Sequence, residues 1–336
     1  MIKRSPGARK AMNMKGPQLP DPSNVYEENT LMQLHRQTPP VDAAEDAIRR
    51  RCYIDDDGLI LERTSLNGRL INCRLHNIQP SATAPTLQIK LLEPLSTGLR
   101  DMRFAQVWKV QSGEETCVAR IFDPLYVKSE LGAEDVFLWI AKILVAETSA
   151  YENYLKDLQG NIIPRFLGSF LTIVDTVDQD LHPGTARTPD IPDKRSVYVL
   201  LLEYIPGIDL SRQHPGPEWP ICVDHKRAIV RAISIAWYQI RIREIFHYDF
   251  AQRNLVLKTD VSSTEPLCDD SSCKLRMQVP TAVEYNPEKA FPIAVIDFEG
   301  YRLSGSYDKP LIEDWQELKA VFTKLLSPSW FEDAVT

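Results

Sequence analysis

The chain has 336 residues, is 43% hydrophobic and 25% charged, and carries a formal net charge of −7. That length suits one two-lobed domain with added segments, or two domains at most, and supplies enough apolar material for a sizeable core. The acidic balance argues against a general nucleic-acid-binding surface. No stretch approaches the roughly 20 apolar residues of a membrane helix, and the basic start (Lys3, Arg4, Arg9, Lys10, Lys15) lacks the apolar run of a secretory signal. A solvated tail on a cytoplasmic or nuclear protein is the expectation. The six cysteines are scattered, and the close pair, Cys268 and Cys273, has a C-x4-C spacing without the companions that zinc needs. Free thiols in a reducing compartment are expected.

Residues 1–45 are rich in Pro, Asn and Gln and lack sustained periodicity, a composition of disordered chain. Short helices are expected near 26–36 and 42–52. From Gly58 the text alternates, and Asn67-Gly68 sits between two apolar runs, which signals a hairpin. Residues 87–95 read as a strand. Strands 104–110 and 116–122 flank Ser112-Gly113-Glu114 and form a second hairpin. A helix follows over about 133–158, with Val136, Ile140, Leu144, Tyr151 and Leu155 near helical spacing, and Gln159-Gly160-Asn161 ends it. Strands at 163–174 and 196–205 enclose a Pro- and Asp-rich loop.

Residues 223–246 form a strongly amphipathic helix, with Ile229, Ile233, Ala236 and Ile240 on one stripe. The polar stretch 258–290 reads as a loop insertion. FPIAVIDF (291–298) is a buried strand, and 314–326 a last amphipathic helix. Strands with one helix, then helices and a short hairpin, suit a small β-rich lobe stacked on an α-rich one.

Chemistry concentrates in two places. In HYDFAQRNLVL (247–257), Asp249 and Asn254 stand five apart after the long helix. In IAVIDFEG, Asp297 stands at the mouth of an apolar strand. Phosphoryl transfer needs a carboxylate beside the attacking hydroxyl and oxygen ligands for magnesium, and these residues supply both. The first segment resembles the H-R-D-x-x-x-x-N loop of protein kinases and the second their D-F-G segment. VYVLLLEYIPGIDL (197–210) resembles the strand and hinge of the same family, and TCVARIFDP (116–124) its lysine-bearing strand.

These segments together, over roughly 87–326, resemble the protein kinase-like superfamily, and in style the uncharacterised kinase-like proteins of filamentous fungi. The resemblance implies an α+β, two-lobed fold with a small antiparallel β lobe, one main helix in it, and a mostly helical C-lobe. That C-lobe would be shortened, as in aminoglycoside and choline phosphotransferases. It implies a disordered extension (1–57), an extra hairpin (58–86), an N-lobe (87–203) and a C-lobe (204–336) carrying the insertion 258–290.

By the same resemblance, Asp249 would act on the acceptor hydroxyl, and Asn254 and Asp297 would hold Mg2+. Glu203 and Ile205 would meet adenine, and Asp209 the ribose. Gly98 and Val107 would belong to the nucleotide-covering loop. Arg120 stands where the family has lysine, with Glu147 as its partner and Glu152 as the alternative. The implied function is ATP- and Mg2+-dependent transfer of the γ-phosphate to a protein or small-molecule hydroxyl. The alternative is an impaired pseudokinase serving as a binding or scaffold module. Arg120, the single glycine of residues 96–107 and Tyr248 in place of arginine depart from the family pattern. Arg and Lys are not equivalent at a phosphate grip that wants a compact charge.

Overall fold

The computed structural model describes residues 26–37, 79–96, 105–126, 136–176, 193–211, 221–247, 249–259, 267–276, 278–287, 289–298, 301–303, 311 and 315–322. Its main feature is a closed antiparallel barrel of six strands. These are β1 (Leu31–Arg36), β2 (Thr86–Ser96), β3 (Gln106–Ser112), β4 (Glu115–Phe122), β5 (Phe166–Asp175) and β6 (Lys194–Glu203), arranged β1-β2-β3-β4-β6-β5. β1 closes the ring by pairing with β2 (Leu31 opposite Lys90) and with β5 (His35 opposite Leu171).

Side chains of a strand alternate between faces. Cys117, Ala119 and Ile121 of β4 therefore share the barrel interior with Leu34, Ile89, Trp108, Val110, Val199 and Leu201. The intervening residues face outward, and there the helix α1 (Val136–Ser149) packs Ile140, Ile143 and Leu144 against Phe122 and Leu200. One end of the barrel is tied by a buried polar group. Arg195 Nη2 donates to Asp123 Oδ2 at 2.8 Å, and Tyr26 Oη donates to the same oxygen at 2.7 Å.

α1 runs into a π-helical turn (Ala150–Tyr154) and a 3-10 turn (Lys156–Leu158). The remaining core surrounds α2 (Val223–Arg241), whose buried stripe holds Ile229, Ile233, Ala236 and Ile240. Short strands accompany it in the chain: β7 (Gly207–Asp209), β8 (Ile245–His247), β9 (Leu255–Lys258), β10 (Ile293–Val295) and β11 (Tyr301–Leu303), followed by α3 (Trp315–Phe322). They pair as β10-β9-β7 and β11-β8. Gly207 is required where β7 crosses β9, because a Cβ there would lie 2.4 Å from Leu257 O.

The stretch 258–290 is more than a surface loop. Leu275, Val279 and Val283 are buried in the α2 core. Arg231 Nε donates to Val283 O at 3.0 Å, and Asn161 Nδ2 donates to Lys289 O at 3.1 Å.

Two expectations need correction. The two-lobed α+β fold with a mostly helical C-lobe is not the observed architecture. Eleven strands dominate the described residues, six of them in a closed barrel, beside three α-helices of which only two exceed eight residues. The reason is pairing: β1 joins β2 to β5, so the antiparallel strands expected of the β lobe close into a ring with no free edge. The chain around α2 is spent largely on short strands and turns. Second, a strand replaces the helix expected near 26–36. Met32 and Leu34 are buried and their neighbours are not, a period of two that suits a half-buried strand. The hairpin at Asn67-Gly68 and the helix at 42–52 lie outside the described residues.

Candidate functional site

The candidate site is assembled where the outer face of β4 meets the end of the β9–β10 hairpin. Alternation along β4 turns Arg120 away from the barrel interior, opposite Val107 on β3 and Leu200 on β6. α1 brings Glu147 to it: Arg120 Nη1 donates to Glu147 Oε1 at 2.7 Å, and Glu147 is fully buried. The same nitrogen donates to Asp297 Oδ1, also at 2.7 Å. One guanidinium is therefore held between two buried carboxylates, a geometry that a charge-assisted pair rewards only when well aligned.

Asp297 adopts φ of 70°. That left-handed conformation is costly for a residue with a Cβ and is retained where surrounding contacts impose it. Here the ion pair to Arg120 and the burial of Phe298 on the next turn supply the constraint.

The hairpin register places Asn254 beside Asp297. Val295 lies opposite Leu255, and Ile296 N–H donates to Asn254 O at 3.0 Å. Asn254 is fully buried in a 3-10 turn (Gln252–Asn254). Its Nδ2 donates to Asp249 Oδ2 and to Asp249 O, both at 2.8 Å. Its Oδ1 is buried and has no hydrogen-bond partner among the described residues. Asp249 is half-exposed and also accepts a hydrogen bond from Arg253 Nη2. It thus keeps access to solvent while its orientation is fixed.

An aromatic floor supports the group. Tyr151 stacks on Phe166 with centroids 5.5 Å apart and meets the edge of Phe298. His247 lies 4.9 Å from Phe298 between ring centroids, and its Nε2 donates to Ile296 O at 3.0 Å. Burial holds the His247 imidazole below its ordinary range, so it is neutral. Burial also raises the Tyr151 hydroxyl well above the usual phenol range.

The structure thus forms two side-chain groups, Arg120 with Glu147 and Asp297, and Asn254 with Asp249, brought near each other by the Ile296–Asn254 backbone hydrogen bond, and it selects Glu147 over Glu152 as the arginine's partner. Val107 borders the first as the cross-strand neighbour of Arg120. Other expected residues are engaged elsewhere. Glu203 N–H already donates to Arg165 O at 2.9 Å, and its carboxylate accepts from Arg165 N–H. Ile205 lies in the short link between β6 and β7. Asp209 Oδ1 accepts from Ser211 N–H at 2.7 Å in a local turn. Lys109, on the neighbouring strand β3, sits over the Tyr204 ring at 4.7 Å. Gly98 is outside the described residues.

One group escaped the sequence reading. Cys222, His225, Cys268 and Cys273 converge. The signal was present as a C-x2-H at the start of α2 and a C-x4-C in the insertion, but nothing in the sequence joins the two halves.

Fold and site together define a β-barrel protein with a buried group of carboxylates bridged by an arginine at the barrel's outer face. No protein-family model matches the chain, and no curated protein is significantly similar to it. With the observed barrel, this overturns the kinase-like superfamily membership implied by the motifs. The motifs are short polar signatures that a different architecture accommodates. Among the described residues, no helix is long and apolar enough to cross a membrane.

Proposed function

We propose that the site residues line a cleft that binds ATP with Mg2+ and transfers a phosphoryl group to a hydroxyl acceptor. The observation that carries this reading is the convergence of Asp249, Asn254 and Asp297 at the end of the β9–β10 hairpin. The donor set fits magnesium. Asn254 Oδ1 is buried without a hydrogen-bond partner among the described residues, and the Asp297 carboxylate follows one residue beyond its backbone neighbour Ile296. Hard oxygen donors of this kind suit Mg2+. Asn254 and Asp297 would hold the ion, which when bound would offset phosphate charge.

The rest falls to the chain's own side chains. Asp249, oriented by Asn254 and Arg253 and open to solvent, accepts the proton of the incoming hydroxyl. Arg120 offers a forked cation to phosphate oxygens, in exchange for part of its pairing with Asp297.

A second reading is favoured by one observation: in this state Arg120 bonds Asp297 directly. An arginine that keeps that place would leave a nucleotide-binding module without turnover. The test uses the full chain with γ-labelled ATP, Mg2+, generic protein acceptors and small alcohols. Mg2+-dependent label transfer that falls about 100-fold or more in Asp249→Asn supports the transferase. A MgATP-induced rise in melting temperature that disappears in Asp297→Asn, without transfer, supports the binding module. Neither transfer nor a nucleotide-induced shift would overturn both.

A further inference from the structure

We propose that Cys222, His225, Cys268 and Cys273 form a closed structural zinc site that fastens the 258–290 segment to the start of α2. Their ligand atoms all lie within 4.8 Å of one another. Four ligands at zinc's usual bond lengths form a tetrahedron with edges of about 3.5–3.8 Å, so the group is already near the size that one ion would draw together.

The two halves are presented by different local structures. Cys222 is the N-cap residue of α2, and His225 follows three positions later on the same face. Cys268 and Cys273 flank a tight turn in which Asp270 Oδ1 accepts hydrogen bonds from Ser272 N–H at 2.8 Å and Ser272 Oγ at 2.6 Å. Cys273 N–H donates to Asp270 O at 3.1 Å. That turn curls both sulfurs toward α2.

His225 provides the most specific sign. The ring is fully buried, and its Nε2 lies 2.6 Å from Val279 O. A carbonyl only accepts, so Nε2 carries the proton and Nδ1 presents its lone pair. Fixing the tautomer through a backbone carbonyl is how metal-bound histidines are held. Cys222 Sγ lies 3.0 Å and Cys273 Sγ 3.4 Å from that one lone pair. A thiol hydrogen bond to Nδ1 accounts for one of these sulfurs, not both. Cys222 N–H points at Cys273 Sγ from 3.4 Å.

Three thiolates and one imidazole select zinc over magnesium or calcium, and four protein ligands leave no open position for catalysis. Binding releases the thiol protons to solvent and involves no electron transfer. The site works through position. The 258–290 segment links β9 to β10, and β10 leads into Asp297, so anchoring the segment holds one wall of the cleft. The zinc assignment does not depend on what the cleft does.

The full chain, purified under reducing conditions, is expected to hold about one zinc ion. Replacing it with Co2+ should produce the visible bands of tetrahedral cobalt and a thiolate-to-cobalt charge-transfer band. Cys268→Ser and Cys222→Ser should lower metal content and the melting temperature, while Cys117→Ala, in the barrel interior, leaves metal content unchanged. Where a variant fails to fold, the cobalt spectrum of the unmutated chain decides. A folded chain with well under one ion, no charge-transfer band on adding cobalt, or a disulfide among these cysteines under reducing conditions overturns the proposal.

Discussion

Replacing Arg120 by methionine tests how the cleft is held together. The substitution keeps the apolar stem and removes the guanidinium that Glu147 and Asp297 share. Both oxygens bond the same nitrogen at 2.7 Å, so they can be no further apart than twice that distance. Two like charges at that separation repel by about 3 kcal/mol at an effective dielectric of roughly 20. Stripping one partner from a buried ion pair costs about 3–5 kcal/mol in general, a range that contains this figure. Arg120→Met should therefore lower stability at neutral pH by about 3–5 kcal/mol, read from urea unfolding with an unchanged m-value. Crowded carboxylates respond by holding a proton, so one of the two takes a raised pKa in the variant. Its folded form then binds more protons than its unfolded form, and the deficit should shrink as pH falls from 7 toward about 5. The double variant Arg120→Met/Glu147→Leu should recover much of the loss, because one carboxylate alone can regain solvent or a proton. A loss below about 1 kcal/mol that does not change with pH would refute the reasoning.

Three other outcomes are expected. Asp123→Leu leaves the fully buried Arg195 without its carboxylate and should cost about 3–5 kcal/mol, whereas Asp123→Leu/Arg195→Met should lose less, retaining a loss of about 1–3 kcal/mol for the orphaned Tyr26 hydroxyl; thermal unfolding checks both. Gly207→Ala must push β7 off β9, so hydrogen exchange should accelerate at Leu210 N–H, which bonds Leu255 O across that junction. His247 is held below its ordinary 6.5 by burial, against the raising influence of Ile296 O, Asp297 and Asp249. On acidification the unfolded chain takes up this proton first. Its contribution is therefore present above about pH 6.5 and lost as pH falls toward the folded value, and His247→Phe should flatten the urea-midpoint slope between about pH 7.5 and 5.5.

Much of the local structure was legible in the sequence because it depends on periodicity. The period-two runs at 87–95 and 116–122 coincide with β2 and β4, and the apolar stripe of 223–246 with α2. The polar residues Arg120, Asp249, Asn254 and Asp297 were singled out by short motifs resembling those of kinases, which do not specify the fold around them. The sequence did not show that β1 would close a barrel. Its LMQLHR is too short to distinguish from a helical turn until β2 and β5 offer their edges. Nor could it show that Glu203 would be occupied by Arg165, because that contact crosses 38 positions.

Local pattern sets which face of an element is apolar, and so the sequence by itself determined strands β2 to β6, strand β10 and the long helix α2. Only the tertiary structure decided the architecture and the pairings: the closed ring, Arg120 between Glu147 and Asp297, and Cys222 and His225 beside Cys268 and Cys273. Those contacts join residues far apart in the chain. The free energy that brings them together comes from burying the whole core, and no short window of sequence contains it.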